Sequence, residues 1–366
     1  MKKIGFVGCG DISGIYLENI TKMFGELEII GVCDLIRERA EKAAEKYNIK
    51  NIYKDMYELF DDPQVDIVLN ITRPYEHMEV SVAALEAGKH IYTEKPLGAS
   101  LEEATMIRDK ARVKGLFIGG APDTFLGAGL QTCRKLIDDG LIGEVFGAAA
   151  YMVCRGHESW HPDPEFYYKY GGGPMMDMGP YYLTALISLI GPVKTVTGMS
   201  KISMSERTIT SQPFNGKVIK VDVPTYVTGT MSFQNGAIGT IFTTFDVHTA
   251  QVPRIEIYGS EGTLCVPDPN FFKGPVRVCK SKSGVFEELP LLFDYVDNSR
   301  GLGLADMAKA IETGRKARAS GDLLYHVVEV MTGFERASTE RKFIDIESSV
   351  ERPKPMIVPE IKGILD

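Results

Sequence analysis

Nowhere in the 366 residues does an apolar run approach the ~20 residues a helix needs to cross a bilayer. A membrane-spanning protein is therefore not expected. Basic charge is equally short: 41 Lys and Arg stand against 49 Asp and Glu, a net charge of -8. That balance argues against nucleic acid or an anionic membrane surface as a partner, and for small molecules. The six cysteines, at 9, 33, 133, 154, 265 and 279, form no Cys-x-x-Cys pair. Such scatter excludes a disulfide scaffold, and a chain of this length needs no covalent staples, so a reduced, cytoplasmic protein is expected. Internal repeats and low-complexity segments are missing too. Met1-Lys2-Lys3 before Ile4 to Cys9 mimics the start of a secretory leader, but the run is short and has no cleavage-like segment; it reads as a first strand. Asn70-Ile71-Thr72 has the form of a glycosylation acceptor, which the same context discounts.

What is present is an ordinary globular composition, 44% apolar and 25% charged, at a length that predicts two domains. Met1 to Asp34 organises the first of them. The apolar Ile4-Gly5-Phe6-Val7, the turn Gly8-Cys9-Gly10-Asp11-Ile12-Ser13-Gly14, a helical segment and the β-rich Leu27 to Cys33 lead to Asp34. Strand, glycine turn, helix, strand and acid are the fingerprint of a dinucleotide-binding βαβ unit. Gly8 makes the tight turn, Gly10 admits a pyrophosphate at the helix N-terminus beside Asp11 and Ile12, and Asp34 takes a ribose hydroxyl. Ser13 replaces the third glycine. A carboxylate at 34 favours NAD; Arg37 and Arg39 would admit NADP if either reached over the adenosine ribose.

Helical periodicity over Arg37–Tyr47, Met56–Phe60, Tyr75–Ala87 and Leu101–Lys114 alternates with β-rich runs at Val65–Thr72, His90–Thr93 and Leu116–Ile118. This rhythm predicts a doubly wound parallel sheet over 1–122. From 123 to 366 it changes. Helices at 126–138 and 175–190 flank a strand at 145–153 and a loop at 155–173, and then strands predominate at 195–200, 226–233, 237–246, 254–258, 263–266 and 276–279. Two helices, 304–313 and 323–336, follow. Strands joined by turns predict a large, mainly antiparallel open sheet in a second α/β domain.

Glu94-Lys95-Pro96 falls at the end of the fourth parallel strand, the edge where doubly wound folds bind ligands. Pro96 restricts the backbone of Lys95, and a lysine desolvated beside a cationic ring has reason to lose its proton. The spaced motifs Gly8-x-Gly10, Thr72-x-Pro74-x-x-His77, Ala87-Gly88-Lys89-His90, Glu94-Lys95-Pro96-Leu97, Gly171-Gly172-Gly173 with Asp177-x-Gly179, and Glu256-x-x-Gly259-x-Glu261-Gly262 together resemble the Gfo/Idh/MocA oxidoreductases. That resemblance implies a Rossmann domain followed by an α/β domain whose sheet joins a homodimer or homotetramer. It also implies that Asn70, Thr72, Pro74, His77, Glu94 and Lys95 line the cofactor, that Lys95 is catalytic or orients the cofactor, and that Asp177 contacts a substrate hydroxyl.

Many relatives carry histidine four residues after that aspartate as acid and base; here it is Tyr181, on the same helix face as Asp177. A phenol titrates near ~10, which suits it poorly to accept a proton at neutral pH. The carrier is therefore open among Lys95, Tyr181 and a histidine of the loop. In that loop His157-Glu158-Ser159-Trp160-His161 spells a zinc-protease motif, yet Gly156, Pro162 and Pro164 break the helix that zinc would need, so no metal is expected. His157, Trp160 and His161 read instead as substrate contacts, with an aromatic platform for a sugar. The sequence thus predicts an NAD-dependent oxidoreductase acting on a secondary hydroxyl of a sugar, inositol or related polyol. Its alternatives are a non-catalytic NAD-binding sensor and an NAD-assisted glycosidase on the same fold.

Overall fold

The computed structural model describes residues 1–280 and 282–358, and they divide into two compact units. The first comprises Met1–Leu126 and Asp297–Tyr325 with residues 356–358, the second Gly127–Val296 and His326–Pro355. The second is thus not the continuous 123–366 read from the sequence, because residues 297–325 pack with the first.

In the first unit strands β1 (Lys2–Val7), β2 (Leu27–Cys33), β3 (Asn51–Ile52), β4 (Ile67–Asn70), β5 (His90–Thr93) and β6 (Ile118–Gly120) form one sheet in the order β3-β2-β1-β4-β5-β6. Every pairing in it is parallel, as the alternation demands. Helices α1 (Ser13–Lys22), α2 (Arg37–Tyr47), α3 (Met56–Asp61), α4 (His77–Glu86) and α5 (Leu101–Lys114) make the crossovers. Ile4, Phe6, Ile67, Val68, Leu69 and Ile91 are fully buried, the continuous apolar runs of strands covered on both faces. The returning segment is held by Asp123, whose buried carboxylate accepts the Gly301 and Gly303 N–H groups at 2.9 and 3.0 Å.

In the second unit α6 (Ala128–Asp138), β7 (Val145–Val153), α7 (Gly173–Leu189), β8 (Val193–Lys201), β9 (Glu206–Thr208), β10 (Val218–Lys220), β11 (Tyr226–Phe233), β12 (Ile238–Thr244), β13 (Ile255–Gly259), β14 (Gly262–Val266), β15 (Val276–Lys280) and β16 (Glu287–Leu289) follow in order. After α8 (Leu302–Thr313) of the first unit, α9 (Gly321–Glu340) leads to β17 (Ile344–Asp345). Among the described residues nine strands form one sheet, β16-β15-β14-β13-β7-β12-β11-β8-β17. It is antiparallel except between β7 and β12, which pair in parallel from Gly147–Ile238 to Val153–Thr244. α7, apolar on nearly all sides, packs on this sheet, and β9 and β10 form a separate ribbon.

One buried histidine in this unit predicts acid lability. His326 Nε2 accepts the Val193 N–H at 3.0 Å and its Nδ1 meets Ser348 Oγ at 2.8 Å. Burial lowers its pKa from 6.5 to about 4, against the opposing pull of Glu329. A depressed folded-state pKa stabilises above the unfolded value and loses that contribution as pH falls from about 6.5 toward 4, here about 3 kcal/mol. Burial lowers His77 and His90 as well, so they act in the same direction. Urea midpoints at pH 7.5 and 4.5 should therefore differ more for the wild type than for His326→Gln, whose amide oxygen can still accept from Val193; equal differences would refute the assignment.

Candidate active site

β1 ends at Val7, and Gly8 turns the chain at φ +99°. A Cβ there would lie 2.6 Å from the Ile71 carbonyl oxygen, so only glycine lets the ends of β1 and β4 approach. At Gly10, by contrast, no atom lies within 4 Å of where a Cβ would sit. Ser13 Oγ donates to the Gly10 carbonyl at 2.6 Å and closes the turn, while no side chain caps the start of α1. Asp11 and Ile12 are exposed beside it. Asp34, directly after β2, accepts the Cys9 N–H at 2.6 Å on Oδ2 and the Ile36 N–H at 2.7 Å on Oδ1. Its carboxylate is fixed against the glycine turn, with lone pairs left for hydroxyl donors. An open backbone at Gly10, an uncapped helix start and a fixed acid fit a dinucleotide's pyrophosphate and ribose. Leu35, 96% exposed, and Ile36 stand in solvent beside Asp34. Arg37 is turned to Glu41, 3.1 Å away, whereas the charge of Arg39 reaches the Cys9 thiol.

The ends of β4 and β5 are tied together. Asn70 is fully buried: its amide donates to the His77 carbonyl and Ser81 Oγ, both at 3.2 Å, and its oxygen accepts from the Thr72 hydroxyl at 2.6 Å. Its carboxamide is spent on shaping the Thr72 turn, which runs on into a short 3-10 turn at Pro74–Glu76. His77, also fully buried, places Nδ1 2.7 Å from the Pro96 carbonyl oxygen and Nε2 3.1 Å from that of Thr72. Glu94 accepts from the buried Tyr16 hydroxyl at 2.7 Å and from the Lys95 N–H at 3.0 Å. The backbone of Lys95 is therefore held on one side by Glu94 and on the other through Pro96 by His77, and its side chain is half-buried.

In the second unit α7 presents Asp177 and, one turn on, the buried Tyr181. A Cβ at Gly172 would lie 2.6 Å from the carbonyl oxygens of Phe166 and Tyr167, so glycine lets the helix begin against the loop. The loop returns His157 to the helix: Nε2 lies 3.4 Å from Asp177 Oδ2, an ion-pair distance without the alignment of a hydrogen bond. Tyr167 covers the imidazole at 4.0 Å between ring centres, with Phe245 at 4.6 Å and Trp160 at 5.3 Å edge-on. Trp160 is 61% exposed. His161 packs on the far edge of Tyr167, and its Nδ1 accepts the Asp163 N–H at 3.0 Å. The His157 to His161 segment is a single turn, not a helix.

Beneath it lies a buried ionic cluster that no spacing signalled. Arg207, 4% exposed on β9, pairs with Glu158 at 2.9 Å and with Asp246, and donates to the carbonyls of Phe245 and Arg155. Glu158 in turn accepts from Tyr168, whose hydroxyl receives the His157 N–H at 3.3 Å. β9 is three residues long in a polar stretch, so nothing in its pattern marks Arg207 as interior.

Two family models match the chain. One, described as an oxidoreductase family with an NAD-binding Rossmann fold, covers residues 2–119; the other, the GFO/IDH/MocA C-terminal domain, covers 130–265. Myo-inositol 2-dehydrogenase of Thermotoga maritima is 25% identical over 263 residues, 72% of this chain and 74% of that protein. Scyllo-inositol 2-dehydrogenase (NAD(+)) of Bacillus subtilis is 24% identical over 311 residues, 84% of this chain and 86% of that protein. Among solved structures, levoglucosan dehydrogenase in complex with NADH and levoglucosan superposes with a TM-score of 0.80 at 21% identity, covering 94% of this chain and 99% of that one. The glycine turn with its fixed acid and both matched halves place this chain in the Gfo/Idh/MocA family of NAD-binding oxidoreductases.

Proposed function

We propose that this protein is an NAD-dependent dehydrogenase of a secondary hydroxyl on a sugar, inositol or related polyol. The observation that carries the reading is Asp177, a carboxylate set against an imidazole under an aromatic wall, which suits hydroxyl donors on one side and the C–H face of a sugar ring on the other. NAD, when bound, supplies the hydride acceptor. Asp177 is the group of the second unit suited to a substrate hydroxyl, and Lys95 the group of the first suited to orient a reacting group beside the nicotinamide. The inositol and levoglucosan substrates named for the relatives support the polyol class. Absorbance of NADH, followed across a panel of inositols, aldoses and anhydrosugars, should rise with at least one member. Tight NAD binding by calorimetry with no turnover on any of them would overturn the reading.

Asp34 should set the cofactor preference. Asp34→Ala removes a charged acceptor worth about 1.5–3 kcal/mol, roughly 10- to 100-fold in NAD affinity, and removes the repulsion of a 2′-phosphate. Titration of both nucleotides checks this; an unchanged NAD to NADP ratio would sink the role.

We further infer a homodimer or homotetramer formed through the open face of the nine-stranded sheet. Met199, Thr228, Phe242 and Tyr151 lie side by side across four strands, and Met199 and Ile238 are 76% and 62% exposed. Sedimentation velocity should give a dimer or tetramer, and Met199→Asp combined with Ile238→Asp should dissociate it. A monomeric wild type would overturn the inference.

A further inference from the structure

The dehydrogenase reading leaves the proton of the reacting hydroxyl without a carrier, and one side chain on the loop before α7 has the geometry for it. His157 is nine-tenths buried, and both its ring nitrogens are sealed from solvent without a hydrogen-bond partner among the described residues. Burying such a group unpaired costs about 1–3 kcal/mol, which a ligand hydroxyl would recover. The 3.4 Å gap between Nε2 and Asp177 Oδ2 is too poorly aligned to be a hydrogen bond, so Nε2 is left without one. A hydroxyl oxygen about 2.8 Å from Nε2 would donate its one proton there, with Asp177 close enough to stabilise the charge that results. Tyr167, Phe245 and Trp160 pack against the ring and Tyr168 holds its backbone N–H, so a hydroxyl reaches Nε2 when the loop that carries the exposed Trp160 yields.

We propose that His157, paired with Asp177, accepts the proton of the substrate hydroxyl, and so supplies from the loop the imidazole that α7 lacks where it carries Tyr181. The inference rests on the dehydrogenase reading. In the oxidising direction the O–H bond breaks toward His157 Nε2, giving the imidazolium. The electron pair left on oxygen becomes the second bond of the carbonyl, and the carbinol C–H pair departs as the hydride that dehydrogenation requires. In the reducing direction His157 returns the proton. Asp177, 3.4 Å from Nε2, stabilises the imidazolium. Among the described residues, the charged or titratable groups near the ring include Tyr167, on its face, His161 beyond Tyr167 and Trp160, and Tyr168, Glu158, Arg207 and Asp246, which are engaged with one another. Cys154, near Asp177, is kept a thiol by burial, which pushes it up.

The chain's single tryptophan makes this testable without turnover, because Trp160 is edge-on to His157 and an imidazolium quenches indole fluorescence. In the full-length protein without nucleotide, the Trp160 emission should titrate with pH, and the step should vanish in His157→Gln. The step should move in Asp177→Asn, which keeps the shape of the carboxylate. His161, also 5.3 Å from Trp160, is the other source of such a step, so His161→Gln must retain it. In the enzyme assay His157→Gln should lose at least 100-fold in kcat, together with the fall of kcat/KM toward low pH, at unchanged NAD affinity. Tyr181→Phe should keep that limb. A step or an acid limb that survives in His157→Gln overturns the proposal, as does a limb lost in Tyr181→Phe. A wild type that turns over no polyol overturns the dehydrogenase reading and this role with it, whereas turnover with an unchanged His157→Gln profile overturns the role of His157 alone.

Discussion

Lys95→Ala should lower kcat by about 10²- to 10⁴-fold, the range for losing a positioned proton-handling or orienting group, while NAD affinity stays within a few-fold. The separation of the two effects follows from where the contacts originate. The glycine turn and Asp34 belong to the ends of β1 and β2, and the hydrogen bonds that shape them, from Cys9 and Ile36 to Asp34 and from Ser13 to Gly10, involve nothing on β5. Truncating Lys95 removes an ammonium and leaves its backbone in place, because Glu94 still accepts the residue's N–H and His77 still holds the Pro96 carbonyl. Lys95→Arg separates orientation from charge. A guanidinium keeps the charge but projects a fork where the ammonium is a point. It should recover less than a tenth of the lost rate. Calorimetry for NAD and single-turnover absorbance measure the two effects separately. Near wild-type turnover in Lys95→Ala would remove Lys95 from the chemistry.

The residues at the ends of the parallel strands were legible in the sequence because their signals are local. Gly8 is required by the approach of the Ile71 carbonyl and Asp34 is fixed by its place after β2, and α2 spans Arg37–Tyr47 as its alanine spacing predicts. Asn70 and His77 were legible as motif residues, but their work was not. Both turned out to be buried braces, since a carboxamide or imidazole that shapes a turn looks the same in sequence as one that meets a ligand. The second unit was read strand by strand, with β11 at Tyr226–Phe233 as expected, yet the parallel pairing of β7 with β12 was hidden. It joins segments more than 80 residues apart, and periodicity reports a strand's faces, not its neighbours. The same distance problem hid Arg207, whose partners come from the loop and from the end of β12.

That arginine gives the largest stability effect expected. Arg207→Met should destabilise the protein by about 3–5 kcal/mol, because it leaves two carboxylates without their cation in a place where water hardly reaches. Side-chain exposure is 3% for Arg207, 12% for Glu158 and 7% for Asp246. The guanidinium also serves the Phe245 and Arg155 carbonyls, so methionine fills the volume but satisfies none of four acceptors. Arg207→Lys, with a single ammonium, should fall between the two, reaching one carboxylate and abandoning the other. Urea unfolding measures these losses. The decisive variant adds Glu158→Gln and Asp246→Asn to Arg207→Met: with the charges gone together, most of the loss should return, since the penalty lies in the uncompensated carboxylates more than in the pair itself. Function should not return with it. Glu158 holds Tyr168, and Tyr168 holds the backbone of His157, so a stable triple variant with a slackened loop should keep NAD affinity and lose kcat. If the triple variant is as unstable as Arg207→Met, packing of the guanidinium stem, not charge, holds this loop in place.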